Sequence, residues 1–147
     1  MLLMHPVRFF ELLPKIPDMR APALFLIFSG LPAAILWLLF WGLYPALVAA
    51  VLPLPLSFVL AGLYHLGALG GRHGYVVTWR ILAYPLGFYL PFAAVPLLGP
   101  LGAAYSGLVL MGLGLAEVQE IGRPRAGLFC VAVVVVFGVA YYLLSVA

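Results

Sequence analysis

The stretch that decides the fold is residues 64–80, which reads Tyr64-His-Leu-Gly-Ala-Leu-Gly-Gly-Arg-His-Gly-Tyr-Val-Val-Thr-Trp-Arg80. It interrupts a chain that is otherwise nearly free of charge, and it contains two of the three histidines and two arginines. The spacing Gly70-Gly71-x-x-Gly74 indicates a left-handed turn, because glycine adopts that backbone conformation without steric cost. We therefore expect a surface loop here, with long apolar segments on both sides.

Those apolar segments place the chain among membrane proteins. Of its 147 residues, 67% are hydrophobic and only 7% are charged, whereas a soluble domain carries about 25% charged residues. The apolar runs are continuous rather than alternating, which excludes a transmembrane β-barrel. The composition predicts an all-α integral membrane protein with a single transmembrane domain, 1–147, and the lipid bilayer as its surroundings.

Two function classes are disfavoured by the charged residues and the cysteine count. The net charge of +3 includes no basic cluster larger than Arg123-Pro-Arg125, so we expect no nucleic-acid partner. Cys130 is the single cysteine, which excludes an internal disulfide and a cysteine-based metal cluster. We expect neither a cofactor nor a bound metal.

The uncharged run from Ala21 to Gly71 is long enough for two membrane spans, since one span needs about 20 residues. A reversal at Pro53-Leu-Pro55 would leave a second span that is too short. A reversal near Tyr44-Pro45 leaves two adequate spans, so we favour it. This choice places Pro53 and Pro55 inside the second span and predicts a kink there.

The whole chain then divides into five spans behind a short N-terminal helix. That helix, 5–14, has Phe9 and Phe10 on one side and mixed charges on the other, which is typical of an amphipathic helix in the headgroup layer. Arg80 falls in the first turn of the third span, where we expect it to reach the headgroups. The predicted spans are about 23–43, 46–69, 76–95, 101–118 and 126–147.

The arginines and lysine predict the orientation. With five spans, all seven fall in segments on one side of the membrane, and the two connections on the other side carry no charge. The positive-inside rule makes the charged side cytoplasmic, so we expect an inner-membrane protein with its N-terminus in and its C-terminus out. The seven residues are Arg8, Lys15, Arg20, Arg72, Arg80, Arg123 and Arg125.

The ionisable side chains that follow the first span gather near the predicted cytoplasmic ends of the spans. Those that lie at membrane depth are candidates for function. His65 and Glu117 face each other if the second and fourth spans pack together, and such a pair relays a proton or binds a cation. Alternatively, His65 donates one hydrogen bond to a neighbouring helix, and Glu117 pairs with Arg72 or Arg80. The candidate polar cluster is His65, Arg72, His73, Arg80, Glu117 and Glu120.

Three groups of motifs carry a family resemblance. They are Pro6-Val-Arg-Phe-Phe-Glu-Leu-Leu; His65 followed by Gly70-Gly71-x-x-Gly74-Tyr75 and Thr78-x-Arg80-x-x-x-Tyr84; and Gly114-Leu-x-Glu117 followed by Ile121 and Arg125-Ala126. The chain resembles the Yip-domain family of five-span membrane proteins, named in eukaryotes as Ypt/Rab-interacting proteins. It lacks the long acidic N-terminal region of eukaryotic members and looks like the minimal prokaryotic form. The resemblance implies no substrate and no reaction.

Three functions are compatible with these features. The first is a non-enzymatic protein of the Yip type that acts through lipid packing or protein partners at its cytoplasmic face. The second is a small transporter or channel with a His65/Glu117 polar site between proline-kinked spans. The third is a membrane enzyme using His65, His73 and Glu117, with or without a metal. We favour the first, because the sequence has no catalytic motif. Small residues in the fourth span permit either internal packing or a homo-oligomer.

Overall fold

The computed structural model describes residues 4–146, apart from the side chains of residues 141 and 144–146, and this part of the chain is helical without strands. The predicted all-α class is confirmed. The predicted domain, 1–147, extends beyond the described residues at both ends. The last residue of the predicted fifth span also lies outside them. The helices are α1 (Pro6–Glu11), α2 (Arg20–Trp41), α3 (Leu43–Val51), α4 (Pro53–Gly67), α5 (Tyr75–Ala93), α6 (Leu98–Ala104), a π turn (Tyr105–Leu110), α7 (Met111–Val118) and α8 (Arg123–Val146).

Several of these helices are long and apolar enough to cross a membrane. Three qualify on their own within the described residues, namely Arg20–Trp41, Leu98–Val118 and Arg123–Ala140, and the bent pair α3–α4 makes a fourth if it is one span. Only 17% of the apolar windows of the first and third is buried in the protein, so their side chains face outward, as lipid-exposed helices require. The helix at the predicted third span, α5, is not among the candidates. Three or four spans are therefore supported, and the count of five stays a prediction.

The first reversal of the apolar region lies at Gly42. Its φ of 93° belongs to the left-handed region, which glycine occupies without a side-chain clash. The Gly42 amide donates to the carbonyl of Leu38 at 3.3 Å and closes α2, and α3 then packs back against α2. The reversal occurs within three residues of Pro45, so the favoured register is close to the observed one.

The predicted kink is present between α3 and α4. The two helices meet at Leu52 with a bend of 52°. Pro53 and Pro55 then occupy the first turn of α4, where a missing N–H costs no intrahelical hydrogen bond. The kink prediction is confirmed, and the prolines begin a new helix segment rather than interrupting one.

The centre of the bundle is α5, which packs against α2, α4, α6 and α7. Its residues 77–83 are buried on all sides, a pattern of a helix surrounded by others. Trp79 is fully buried, donates from Nε1 to Ser57 Oγ at 2.8 Å and stacks on Phe58 with 4.8 Å between ring centroids. These contacts fix α4 against α5 and so position the loop between them.

The N-terminal helix is shorter and more enclosed than the sequence predicts. Helix α1 ends at Glu11 and packs on α7, and Phe10 is fully buried rather than directed outward. The reason is Gly114 on α7, where an added Cβ would lie 3.0 Å from the ring of Phe10. The apolar side of α1 therefore faces protein through Phe10. Its position in the headgroup layer stays a prediction.

Candidate functional site

The predicted polar residues lie at one end of the bundle, around three segments. We call the surface formed by residues 12–19, the loop 68–74 and residues 119–125 the charged face. Hydrogen bonds and ion pairs join these segments, although residues 15 and 120 are separated by 105 positions in sequence. Six sequence candidates lie in or beside this face: His65, Arg72, His73, Arg80, Glu117 and Glu120.

The residue at the centre of this arrangement is Gln119, which is fully buried at the end of α7. Its Nε2 donates to Thr78 Oγ1 at 2.8 Å, and its Oε1 accepts from the backbone amide of His73 at 3.0 Å. Its carbonyl accepts from the backbone amide of Arg72 at 3.1 Å. One amide side chain thus fastens the 68–74 loop to both α5 and α7. Neither Gln119 nor Thr78 was among the sequence candidates.

His65 belongs to the same network through Thr78. The distance from His65 Nδ1 to Thr78 Oγ1 is 2.8 Å. Thr78 Oγ1 also accepts from Gln119 Nε2, so one hydroxyl joins the imidazole to the buried amide. The ring also meets Tyr75 edge-on, with 5.9 Å between centroids. A chain of hydrogen-bonded side chains therefore links Gln119 through Thr78 to His65.

The pairing of His65 with Glu117 is not what the structure shows. Glu117 Oε1 accepts from Arg123 Nη2 at 2.7 Å and from Arg123 Nε at 3.1 Å, while His65 bonds Thr78. The alternative pairing of Glu117 with Arg72 or Arg80 is also wrong, because the next helix supplies a nearer cation. His65 does bond a neighbouring helix, with Thr78 on α5 as the partner, and the donor role of His65 stays a prediction.

An exposed ion triad ties the three segments of the charged face together. Glu120 accepts from Lys15 Nζ at 2.8 Å and from Arg72 Nη1 at 2.8 Å. These two hydrogen bonds, the one from Lys15 first, lower the pKa of the Glu120 carboxyl to about 2. The hydrogen bond to Glu120 likewise raises the pKa of the Arg72 guanidinium. Exposed pairs stabilise weakly, so the triad chiefly sets the relative positions of these segments.

Arg80 is placed differently from its predicted position. We expected it to reach the headgroups, but its side chain is buried, with 5% of the residue exposed. Its Nη1 donates to the carbonyls of Pro14 at 2.7 Å and Ile16 at 3.0 Å. Residues 12–19 are not helical, and because a carbonyl has two lone pairs, the Ile16 oxygen accepts from Arg80 as well as from the Asp18 amide at 2.8 Å. Arg80 therefore holds the N-terminal segment onto α5.

Two of the three predicted loop glycines are explained by geometry. Gly70 has φ 85°, which confirms the left-handed turn. At Gly71 an added Cβ would lie 2.9 Å from the carbonyl oxygen of Ala68 and 3.0 Å from Gln119 Oε1, so the loop approaches Gln119 too closely for a side chain. Gly74 has open space around its Cα and φ −74°, and it meets neither requirement.

The cations that remain accessible define what the charged face offers to a ligand. The side chains of Arg72 and Arg123 are 71% and 70% exposed, and Arg125 donates to the carbonyl of Leu69 at 2.7 Å from an exposed position. Within residues 4–146, no group of three or more His, Cys, Asp or Glu side chains is arranged to hold a metal ion, and this includes His65, His73 and Glu117.

Comparisons with protein-family models, with curated protein sequences and with solved structures each give no match to this chain.

Proposed function

We propose that this chain is a non-enzymatic integral membrane protein of the Yip type, which acts through lipids or a protein partner at its charged face. The observation that carries the proposal is the preorganisation of that face. Three segments far apart in sequence are fastened by Gln119, by the Glu120 triad and by Arg80. A rigid polar surface loses little conformational entropy when it binds.

The proposed orientation is five spans with the N-terminus in the cytoplasm and the C-terminus outside, in the inner membrane. The bent pair α3–α4 and the central α5 act as the second and third spans. The contacts of Lys15, Arg72, Arg80, Arg123 and Arg125 all lie at one end of the bundle, which supports their shared side. Confinement of cations to one side is the pattern expected of cytoplasmic loops.

Anionic lipid headgroups are the ligand that the exposed arginines favour. Each Lys or Arg near an anionic membrane surface contributes about 1 kcal/mol of attraction. Arg72 gives one N–H to Glu120, and a guanidinium has five, so donors remain for phosphate oxygens. Exposed cations at one end of a bundle of apolar helices therefore match a phospholipid headgroup whose chains lie alongside the bundle.

The test is retention of anionic lipid by the purified full chain. Protein in nanodiscs of mixed phosphatidylglycerol and phosphatidylcholine is compared with the double variant Arg72→Gln/Arg123→Gln by native mass spectrometry. Loss of two surface cations should remove about 2 kcal/mol of attraction, which weakens lipid retention roughly thirtyfold. The charge-conserving control Arg72→Lys/Arg123→Lys keeps most of the binding, and binding falls with added salt.

Different results separate the two branches of the proposal. Co-purification of one protein with the wild type, lost in the Gln variant, identifies a protein partner and removes the lipid branch. Equal retention of anionic and zwitterionic lipid by both variants, with no protein recovered after mild extraction, would contradict the proposal as a whole.

A small transporter or channel is the second candidate function, favoured by a cavity beside the proline-containing helix α5. Pro85 and Pro100 line this space. The polar site predicted for transport is not formed by these two residues together, because His65 bonds Thr78 and Glu117 bonds Arg123. Flux measured in proteoliposomes, with His65→Ala and Glu117→Ala as comparison variants, decides the question. Vesicles that stay tight to solutes and protons end this interpretation.

A further inference from the structure

A cavity of about 640 Å³ lies between α4, α5, α6, the π turn and α8. No charged side chain lines it in the described part of the chain, and almost all its surface is apolar. We propose that this cavity binds the hydrocarbon chain of a membrane lipid that carries a hydroxyl or carbonyl group, which hydrogen-bonds to Ser106. Representative lining residues are Leu60, Leu86, Ser106, Met111, Val133 and Phe137. The proposal does not depend on the charged face.

The polar part of the proposal rests on Ser106. It lies in the cavity wall, it is 7% exposed, and its hydroxyl has no hydrogen-bond partner among the described residues. A buried hydroxyl without a partner costs free energy, so an unsatisfied one calls for an explanation. A serine hydroxyl has three staggered positions about one side-chain bond, so a change of rotamer is the step by which it would meet a ligand in the cavity.

Ser57 is a buried serine of the same bundle whose hydroxyl has hydrogen-bond partners within the protein. Its hydroxyl donates to the carbonyl of Leu54 at 2.6 Å and accepts from Trp79 Nε1 at 2.8 Å. Serine in an apolar helix commonly bonds a carbonyl of the preceding turn in this way. Ser106 makes no such bond, although it is nearly as buried. The contrast between the two serines points to a partner for Ser106 from outside the chain.

The backbone around Ser106 is also irregular. Residues Tyr105–Leu110 form a π-helical turn, a rare feature that occurs often at functional sites. Tyr64 supports this turn from α4 by donating from its hydroxyl to the carbonyl of Gly107 at 3.3 Å. That contact satisfies one carbonyl of the widened turn and leaves Ser106 as its unsatisfied polar group within the described side chains.

The position and size of the cavity select a lipid chain rather than a water-soluble ligand. Leu56 on α4 and Phe137 on α8 line the cavity and are 38% and 49% exposed, so the space reaches the outside of the bundle there. Both helices belong to candidate membrane spans, which directs the opening toward hydrocarbon. The volume lies within the range of roughly 300–1,000 Å³ that is usual for small-ligand sites.

The first test is photolabelling of the full chain in nanodiscs with a long-chain fatty alcohol that carries a diazirine in its chain. We expect labelled peptides from the cavity walls of α4, the π turn and α8. Ala104→Phe fills the cavity, and Ala103→Phe fills it from an exposed rim position in case the first variant folds poorly. Either should reduce wall labelling at least fivefold, while the matched substitution Ala132→Phe, at an exposed position outside the cavity, leaves it unchanged.

Labelling that is spread evenly over the exposed helices, α2 included, and is unchanged by the filling variants would show ordinary surrounding lipid. That result would overturn the proposal.

The second test isolates the contribution of the Ser106 hydroxyl. In this test an unlabelled long-chain alcohol, or the matching alkane, competes with the photolabel for the cavity. Ser106→Ala should weaken competition by the alcohol about threefold to tenfold, because one hydrogen bond is lost, and should leave competition by the alkane unchanged. Ser29→Ala, outside this cavity, is the control. An equal effect on alcohol and alkane, or none on either, refutes the role of Ser106.

Discussion

Replacing Gln119 by leucine removes both side-chain hydrogen bonds that fasten the 68–74 loop to the bundle. The substitution keeps a flexible side chain of similar length in a fully buried position, so packing changes little. The backbone amide of His73 loses its acceptor, which costs about 1–3 kcal/mol for a shielded donor. Thr78 Oγ1 loses one donor but keeps its bond to His65, which costs about 0.5–1.5 kcal/mol.

Together these losses predict a free energy of unfolding that is about 1.5–4.5 kcal/mol lower in Gln119→Leu. The assay is reversible unfolding in mixed micelles, combined with hydrogen exchange of individual backbone amides. The His73 amide should exchange about tenfold faster or more, because 1.4 kcal/mol of lost protection is a factor of ten. The Arg72 amide should keep its protection, since it bonds the Gln119 carbonyl, which the substitution retains.

Thr78→Val is the matched control for this experiment. It removes the other end of the network but leaves the bond from the His73 amide to Gln119 Oε1 in place. It should therefore lower stability without exposing the His73 amide. An unfolding free energy within about 0.5 kcal/mol of the wild type for Gln119→Leu, together with unchanged exchange at His73, refutes the central role given to Gln119.

Three further predictions concern other contacts of the charged face. Gly71→Ala should lower the free energy of unfolding by about 1–3 kcal/mol in denaturation experiments, because its Cβ would crowd the Ala68 carbonyl and Gln119, whereas Gly74→Ala should be nearly neutral. Arg80→Met should release the segment 12–19 and speed its proteolysis and hydrogen exchange, with Arg80→Lys intermediate, because both carbonyl bonds come from the guanidinium; unchanged protection of that segment contradicts this. The Glu120 carboxyl has a lowered pKa in the folded protein, so its contribution to stability is complete above about pH 4.5 and is lost as the pH falls from there through about 2. The stability difference between the wild type and Glu120→Gln, measured against pH, should vanish over that window, and a constant difference contradicts the triad.

Local features of the chain were predictable because they depend on neighbouring residues. The kink before Pro53 and the left-handed turn at Gly70 follow from the backbone chemistry of proline and glycine. The helical class follows from composition. The clustering of polar residues at one end also follows, since charges are excluded from long apolar runs.

Side-chain partners were harder to predict, because they depend on contacts between segments far apart in sequence. The approach of Gln119 to Thr78 spans 41 positions, and no periodicity in either helix reports it. The position of Arg80 near a helix end favours the headgroups, yet the irregular segment after α1 supplies two carbonyls that accept from its Nη1 inside the protein. A signal for Gln119 did exist: it is an uncharged amide between Glu117 and Glu120 at the end of the predicted fourth span, where a buried polar group needs several partners.

The central claim is that all segments bearing lysine or arginine share one side of the membrane. Site-specific labelling of single cysteines tests it most directly, in a Cys130→Ala background, with impermeant reagent added to sealed vesicles of known orientation. The exposed positions Tyr44, Gly74, Leu98 and Gly122 suit this purpose, as Tyr44→Cys, Gly74→Cys, Leu98→Cys and Gly122→Cys. The account predicts that Gly74→Cys and Gly122→Cys react from the cytoplasmic side and the other two from outside. Reaction of Gly74→Cys and Tyr44→Cys from the same side would contradict it.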